Sequence, residues 1–363
     1  MATIESYRTG DASNKITTYV LKNTSGFFAF DFGSNDIPIN DVKKLDYIFI
    51  THEHSDHFMG LYNLEYVDVL LKSNCKIFTS NVTKDLIKEI FEYSLKVSFE
   101  EREIKKIREL LNRIEGVLFF EKIPLRKDTY FKIFPSGHTY GSAMFYLNDK
   151  EGRILYTGDC DWSYDDSDRC YQIDLEENEE VDYIILDGTY LYSEEFRDDE
   201  LSHVKEKILE RGYNCFYSKP EKTVFFAKKI ISLRKLKDNY CVVFSSELKW
   251  YLDVLKKYNY DPFITDKILL DSSVYALPEN RIPLFVHNKK REKQTNVTGL
   301  VGLHINFPEV EGLLQQFDPD KTKVLVGHYN SERKNDILDT FHSSYLVSGY
   351  EVYILEEGPY YLC

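Results

Sequence analysis

The chain has 363 residues and a mass of 42.8 kDa, which exceeds the usual size of one compact domain and predicts a large domain plus an inserted or appended one. Its net charge of −14 argues against a broad nucleic-acid-binding surface, because non-specific phosphate binding depends on lysine and arginine, but it does not exclude a nucleic-acid substrate. No apolar run approaches the roughly 20 residues that cross a bilayer, and the six cysteines show no CxxC pairing, so we expect reduced thiols, no membrane contact, and a location in the cytoplasm or the nucleus.

The first half of the chain predicts a layered α/β fold. Two β-rich segments, Thr17 to Lys22 and Phe27 to Phe32, flank the turn Asn23-Thr24-Ser25-Gly26 and indicate a hairpin. Helical periodicity covers residues 82–95, with Ser80 and Asn81 as capping candidates, and returns at residues 99–111. Further strands are predicted at residues 45–50, 130–134, 143–147, 153–156 and 183–186. Polar residues directly follow several of these strands, and turns of this kind carry the chemistry in layered α/β folds.

The segment Thr51-His52-Glu53-His54-Ser55-Asp56-His57 supplies four metal donors within six residues. Alternate residues of an extended segment point the same way, so His52 and His54 can hold one metal ion together. Asp56 and His57 follow where the chain is expected to turn into a helix, and they are placed to hold a second metal ion. Paired metal ions of this kind are typical of hydrolases.

The remaining donors are expected from turns far along the chain. His138 follows the strand at 130–134, Asp159 follows the strand at 153–156, and Asp187 follows the strand at 183–186. We expect His138 to complete the first metal site and Asp159 to bridge the two metals. His328 is the candidate for the last ligand of the second metal.

From about residue 190 the pattern changes to helices that alternate with strands. This alternation indicates a small α/β unit with a parallel sheet. The C-terminal part then repeats a strand, polar turn and helix twice, and His304 lies in the first turn and His328 in the second.

These motifs resemble those of the metallo-β-lactamase superfamily. Asp31 in Phe30-Asp31-Phe32-Gly33 is similar to its first motif, His52 to His57 to its HxHxDH motif, His138 to its third and Asp159 to its fourth. The resemblance implies an α/β fold, the αββα sandwich, with two zinc ions, or manganese in their place. The metal ligands that it implies are His52, His54, Asp56, His57, His138, Asp159 and His328.

Three further motifs resemble the β-CASP-type nuclease branch of that superfamily, which includes the cleavage and polyadenylation endonuclease and is related to the Artemis-like nucleases. Asp187 is similar to motif A, His304 to motif B and His328 to motif C. An alternative alignment makes residues 327–331 motif B and leaves motif C without a histidine. The resemblance implies a metallo-β-lactamase domain at 1–190, an inserted small α/β cap domain of the β-CASP type at 191–288, and the rest of the metallo-β-lactamase domain at 289–363.

The expected chemistry is hydrolysis. A metal pair lowers the pKa of water from about 15.7 to near 7 and so supplies hydroxide at neutral pH. His304 is the candidate general acid for the leaving oxygen, Asp187 is expected to orient a histidine, and Asp56 is assigned to both the metal site and catalysis.

Three functions remain open at this level. The first is a zinc-dependent nuclease that cleaves single-stranded nucleic acid, with RNA favoured over DNA because motif C carries a histidine. The second is a small-molecule hydrolase acting on a thioester, a lactone or a cyclic phosphodiester, which the acidic charge and the small cap favour. The third, a non-catalytic scaffold, conflicts with the complete set of metal donors. The sequence also leaves open whether the chain acts as a homodimer or as a subunit of a complex.

Overall fold

The computed structural model describes most of the N-terminal half of the chain and shorter parts of the rest. The described residues are 2–9, 16–161, 173–177, 179–189, 191, 215–217, 240–244, 248–260, 268–270, 282–287, 295–296, 307–356 and 358–362. The chain divides into two compact units, Met1–Glu194 with Leu303–Cys363, and Glu195–Gly302. Compactness alone does not say what the second unit is, so the division into a metallo-β-lactamase domain and a β-CASP-type cap stays a prediction.

The first unit contains two sheets, each with seven strands among the described residues. The first sheet consists of β1 (Thr3–Thr9), β2 (Ile16–Asn23), β3 (Gly26–Phe30), β4 (Tyr47–Phe49), β5 (Lys76–Ser80), β6 (Ile114–Val117) and β19 (Gly358–Tyr361), in the order β19-β1-β2-β3-β4-β5-β6. The second consists of β7 (Ile123–Arg126), β8 (Thr129–Pro135), β9 (Ala143–Asp149), β10 (Gly152–Tyr156), β11 (Tyr183–Asp187), β17 (Lys323–Gly327) and β18 (Glu351–Ile354), in the order β18-β17-β11-β10-β9-β8-β7.

The two sheets pack face to face through an aromatic core. Side chains alternate along each strand, so Phe28 and Phe30 of β3 point between the sheets while Ala29 faces the other way. The ring of Phe49 in the first sheet lies 5.1 Å from that of Phe131 and 5.0 Å from that of Phe145 in the second. Burial of these large rings is the main apolar contribution that holds the sheets together.

Helices cover the outer face of each sheet. The first sheet packs against α1 (Ile39–Val42), α2 (Ser55–Phe58), α3 (Leu64–Leu70), α4 (Asn81–Ile90) and α5 (Glu101–Asn112). Further helices are α6 (Lys249–Lys257) of the second unit, and α7 (Phe307–Leu314) and α8 (Lys334–Ser343), which pack on the second sheet. Short 3₁₀ turns occur at Met59–Tyr62, Lys96–Ser98 and Ser331–Arg333. The first unit is therefore an αββα sandwich, which confirms the predicted fold class.

The predicted elements that fall within the described residues agree with the structure except at some boundaries, and the strand and turn predicted before His304 lie outside the described residues. The hairpin is β2 and β3, joined through Thr24 and Ser25. The helix predicted over residues 82–95 begins after its N-cap Ser80, but its α-helical part ends at Ile90 and a π-helical turn, Phe91–Leu95, follows. Stacking of the Phe91 ring on Tyr62, with centroids 5.4 Å apart, is a tertiary contact that helical periodicity does not report.

The second unit contains a parallel sheet, as predicted. Its described strands are β12 (Cys215–Tyr217), β13 (Tyr240–Phe244), β14 (Ile268–Leu270), β15 (Ile282–His287) and β16 (Thr295–Asn296), in the order β14-β13-β15-β12-β16. All the pairs among these five strands are parallel. Within the described ranges, no helix combines the length and the apolar character that crossing a membrane requires.

Candidate metal centre

Strand direction brings the predicted donors to one edge of the sandwich. In the first sheet β3 and β4 are parallel, and in the second sheet β10, β11 and β17 are parallel. β8 points the same way as β10, because both are antiparallel to β9. The turns that carry the donors all follow the carboxyl ends of these strands. Donors separated by almost 280 residues of sequence, His52 and His328, therefore meet at one place.

The first group of donors is His52, His54, His138 and Asp159, whose ligand atoms all lie within 4.8 Å of one another. Nε2 of His138 lies 3.1 Å from Nδ1 of His54 and 3.5 Å from Oδ2 of Asp159. Nε2 of His52 lies 3.7 Å from the same Asp159 oxygen. Two donors about 2.1 Å from one zinc ion at a tetrahedral angle lie about 3.4 Å apart, so these spacings suit a shared metal ion.

The second group is Asp56, His57 and His328, again with ligand atoms within 4.8 Å. Oδ2 of Asp56 lies 3.6 Å from Nε2 of His57 and 3.7 Å from Nε2 of His328. His57 Nε2 also lies 3.5 Å from Oδ2 of Asp159. One oxygen of Asp159 thus faces donors of both groups, which is the placement expected of a bridging carboxylate.

Hydrogen bonds around His52 leave its Nε2 atom available to a metal. The hydroxyl of Thr51 has one hydrogen, which it donates to Asp31 at 2.9 Å, so it must accept the hydrogen bond from His52 Nδ1 at 2.9 Å. His52 Nε2 then carries the lone pair. This atom is buried and makes no hydrogen bond to any residue that the structure describes. A buried imidazole nitrogen in this state fits a metal ion.

Asp31 fixes the ring of His57 in the same way. Nδ1 of His57 donates to Asp31 Oδ2 at 2.7 Å, so Nε2 is directed toward Asp56 and Asp159. The hydroxyl of Tyr156 donates to the same Asp31 oxygen at 2.6 Å, and Thr51 N–H donates to Oδ1 at 2.8 Å. Burial, followed by the charge of Asp31, raises the pKa of Tyr156 well above its usual range, so the phenol keeps its proton and remains a donor. A carboxylate behind a histidine is the usual support of a metal ligand.

His328 is held by side chains from three strands. Its Nδ1 lies 2.8 Å from Asp159 Oδ1 and 3.6 Å from Asp187 Oδ1, and its backbone N–H donates to the hydroxyl of Tyr19 at 2.8 Å. Thr189 connects Asp187 to this histidine, because its hydroxyl lies 2.6 Å from Asp187 Oδ1 and 3.2 Å from His328 Nδ1. His328 has a φ of 45° and Asp31 a φ of 58°. Left-handed conformations of this kind are unfavourable for residues other than glycine and cluster at functional sites.

Charges in the centre divide the histidines into two kinds. Burial, and then the neighbouring histidines, hold the pKa of His52 well below its usual range, so it is a neutral imidazole at pH 7. Burial opposes protonation of His57 and His328 as well, but the carboxylates around each ring, Asp159 foremost, together outweigh it and raise the pKa of both. Burial would raise the pKa of Asp56, but His57 and His328 together outweigh it and the pKa is lowered. Asp56 and Asp159 therefore attract positive charge, which a bound metal ion would supply.

The structure brings together all eight described residues that were predicted as ligands or catalysts: seven form the two donor groups, and Asp187 forms a third group with Asp159 and His328. His304 lies outside the described residues, so its role as general acid stays a prediction. Sequence reasoning assigned no role to Thr51, Tyr19, Tyr156 or Thr189. Thr51 stands next to the histidine run and Thr189 next to Asp187, which is a local signal, whereas nothing in the sequence connects Tyr19 with His328.

Comparisons with known proteins agree with this fold and centre. A family model described as Anti-Pycsar protein Apyc1 matches residues 33–218, about half of the chain. An RNase J-like protein of Methanocaldococcus jannaschii is 26% identical over 157 residues, which are 43% of this chain and 34% of that protein. The cleavage and polyadenylation specificity factor subunit 3-I of Arabidopsis thaliana is 32% identical over 128 residues, which are 33% of this chain and 17% of that protein. The protein artemis of Gallus gallus is 29% identical over 133 residues, which are 34% and 18% of the two chains.

These alignments span about a third or less of the relatives' own lengths. A crystal structure of a protein of unknown function from Enterococcus faecalis V583 matches 98% of both chains with a TM-score of 0.51 and 13% identity, which concerns the fold alone. The chain therefore belongs to the Anti-Pycsar protein Apyc1 family and, with this αββα fold and donor set, to the metallo-β-lactamase superfamily, and it is similar to the RNase J-like, polyadenylation-factor and artemis proteins named above.

Proposed function

We propose that the chain is a metal-dependent hydrolase of phosphodiester bonds, with single-stranded nucleic acid as substrate and RNA favoured over DNA. The observation that carries the proposal is the arrangement of two donor groups around Asp159, with three imidazole Nε2 atoms within 3.7 Å of its Oδ2 atom. Names of the matched relatives, which include an RNase J-like protein and a polyadenylation factor subunit, support a nucleic-acid substrate.

The proposed metal ligands are His52, His54 and His138 for one ion, Asp56, His57 and His328 for the other, and Asp159 for both. Two bound metal ions, which we propose to be zinc with manganese as the alternative, would make water nucleophilic near pH 7 and neutralise the oxygens of a phosphodiester.

The protein's own groups would position this chemistry. Asp31 keeps the proton of His57 on Nδ1, and Asp159 Oδ1, with Thr189 and Asp187 beside it, faces Nδ1 of His328. Asp56 faces both of these histidines. His304 is proposed to donate a proton to the leaving oxygen.

A small-molecule hydrolase is the second candidate, because the description of the matching family model, Anti-Pycsar protein Apyc1, names no nuclease, and because the net charge is −14. Its substrate would be a cyclic phosphodiester, a lactone or a thioester. An acidic surface repels a long polyanion more than a small ligand.

Parallel assays distinguish the two candidates. Zinc- or manganese-loaded protein is incubated with fluorescent single-stranded RNA, with DNA of the same sequence, and with a cyclic mononucleotide, a lactone and a thioester. Cleavage of the oligonucleotides, RNA faster than DNA, is expected. Survival of both oligonucleotides while one of the small molecules is consumed would replace the first candidate by the second.

Variants test the assigned roles. Replacement of both Asp56 and His57 by alanine should abolish turnover with little loss of folded protein, and retained turnover would refute their assignment to the metal site. His304→Ala should slow phosphodiester cleavage about a hundredfold or more while the metal content stays unchanged. Loss of metal from that variant would instead make His304 a ligand.

A further inference from the structure

Arg8 lies on the inner face of the first sheet, at the edge that carries the metal centre. β1 and β2 are antiparallel, as are β2 and β3, so the carboxyl ends of β1 and β3 lie at the same edge of the sheet. Ile4 belongs to the core between the sheets, and alternation along β1 places Arg8 on the same face. Arg8 is in register with Thr17 of β2, two residues before Tyr19, whose hydroxyl binds the backbone of His328.

The guanidinium of Arg8 lies over the ring of Tyr329, the residue after the proposed ligand His328. Its Cζ atom lies 4.6 Å from the centroid of the ring of Tyr329, the next residue along the chain. Nη2 donates a hydrogen bond to the carbonyl oxygen of Leu355, and Nε donates to the hydroxyl of Ser6 at 3.3 Å. The Tyr329 ring and two hydrogen bonds therefore hold the plane of the guanidinium in place.

The charge of Arg8 has no partner of opposite sign within the described part of the chain. Arg8 is half-buried, and among the described residues it forms no ion pair and its Nη1 group has no hydrogen-bond acceptor. Glu356 pairs with Lys334, which lowers the pKa of that carboxyl with a smaller contribution from Arg8. Partial burial removes some of the water around the guanidinium, so an anion that reaches it would gain a charge-assisted hydrogen bond.

Thr17 provides an independent observation at the same place. Its side chain is 5% exposed, and its Oγ1 atom makes no hydrogen bond to a described residue. A buried hydroxyl is normally hydrogen-bonded. Thr17 lies directly across the ladder from Arg8, so both polar side chains stand on one face and both have hydrogen-bonding capacity left.

We propose that Arg8 and Thr17 form a phosphate-binding site beside the metal centre, where the guanidinium and the hydroxyl hydrogen-bond to phosphoryl oxygens of the substrate. The planar guanidinium suits this role, because two parallel N–H groups match two oxygens of one phosphate. The identity of the substrate as a phosphodiester rests on the proposed function, but the binding of inorganic phosphate to this site can be measured without turnover. The site would favour anionic esters over neutral ones.

The direct test measures the dissociation constant of inorganic phosphate by calorimetry on the metal-loaded protein. Arg8→Met should weaken binding about tenfold or more, and Arg8→Lys should restore part of the loss, because a lysine keeps the charge but not the paired N–H groups. Thr17→Val preserves the shape of the side chain, removes the hydroxyl, and should weaken phosphate binding severalfold. Metal content and unfolding temperature are measured for each variant.

Arg126→Met is the matched control, since Arg126 pairs with Asp46 before β4, at the opposite end of that strand from the metal centre. It should leave phosphate binding unchanged. Unchanged phosphate binding in both Arg8→Met and Thr17→Val would overturn the proposal. Loss of metal from Arg8→Met together with unchanged phosphate binding in Thr17→Val would also overturn it, because Arg8 would then only hold the turn at Tyr329 in place. If phosphate binding depends on Arg8 but the protein cleaves no phosphodiester, the result would support this phosphate site and contradict the proposed function.

Discussion

Asp31 is the residue on which several side chains of the metal centre depend. Its two oxygens accept hydrogen bonds from Thr51, His57 and Tyr156, and all three donors are buried. An asparagine has only one acceptor oxygen, and its amide group would face at least one of these donors. The charge and the two acceptor oxygens of Asp31 are therefore both needed.

We expect Asp31→Asn to lower the affinity of the second metal about 10- to 100-fold, because the proton of His57 is no longer held on Nδ1. Metal titration followed by elemental analysis measures this. Asp149→Asn is the control, because Asp149 is also buried and accepts hydrogen bonds from Asn23 and Thr129, but it ends β9, which runs away from the metal centre. Equal metal affinities in the two variants would mean that Asp31 has only a structural role.

Gly158 allows the turn before Asp159 to lie against Thr51. Its φ is +55°, and a Cβ atom there would lie 2.6 Å from Cγ2 of Thr51. Gly158→Ala should lower the free energy of unfolding in urea by about 1 to 3 kcal/mol. Gly312→Ala is a control of opposite sign, because its Cβ meets nothing within 4 Å and alanine favours the helix α7 by up to about 1 kcal/mol. A Gly158→Ala variant as stable as the wild type would contradict this packing.

At the scale of elements, a buried ion pair joins β8 to the segment before β11. Nζ of Lys132 lies 2.6 Å from Oε2 of Glu179, and both side chains are buried. Burial by itself would raise the pKa of Glu179, but the hydrogen bonds from Lys132 and Tyr130 together with the charge of Lys132 outweigh it and the pKa is lowered. The lowered pKa means that Glu179 stabilises the fold while it is ionised.

The contribution of Glu179 to the stability of the fold depends on pH. Stability from Glu179 is fully present above its unfolded pKa of about 4.3 and is lost as pH falls through the lower folded value. Glu179→Gln should cost about 3 kcal/mol at pH 7, because the buried Lys132 then keeps only its longer contact with the exposed Glu176, and the difference from wild type should shrink as pH falls from 5 toward 3. Urea unfolding at each pH measures the difference in unfolding free energy between the variant and the wild type. Glu176→Gln, at the exposed neighbour of Lys132, should have little effect, and a difference independent of pH would contradict the argument.

Elements with strong local signals were predictable from the sequence. The Asn23 to Gly26 turn specified the β2–β3 hairpin, and Ser80 specified the start of α4. The end of α4 was not predictable, because the Phe91 to Leu95 turn depends on packing against Tyr62. Local propensity reports neighbours in sequence, and this contact crosses about 30 residues.

At the scale of the whole molecule, we expect bound metal to contribute to the stability of the first unit. The centre places three imidazole Nε2 atoms within 3.7 Å of Oδ2 of Asp159, and a metal ion would bind this folded arrangement and not the unfolded chain. A ligand at a hundred times its dissociation constant stabilises a fold by about 2.7 kcal/mol, so removal of metal should lower the unfolding temperature by several degrees. Calorimetry with and without a chelator measures the shift.

Two variants control the chelator experiment. The shift should persist in His342→Ala, which removes an exposed histidine outside the donor groups, and it should shrink when Asp56 and His57 are both replaced by alanine. Native protein that contains no metal and shows no shift would remove the basis of the proposed centre.

The sequence by itself determined the donors and the strands that precede them, because each donor follows a β-rich segment within a few residues. Only the tertiary structure decided how these donors are shared. The position of Asp159 between two groups, the support of His328 by Tyr19, and the place of Arg8 beside Tyr329 all depend on which strands pair and in which direction. Pairing and direction result from long-range burial between two sheets, and no local pattern in the chain encodes them.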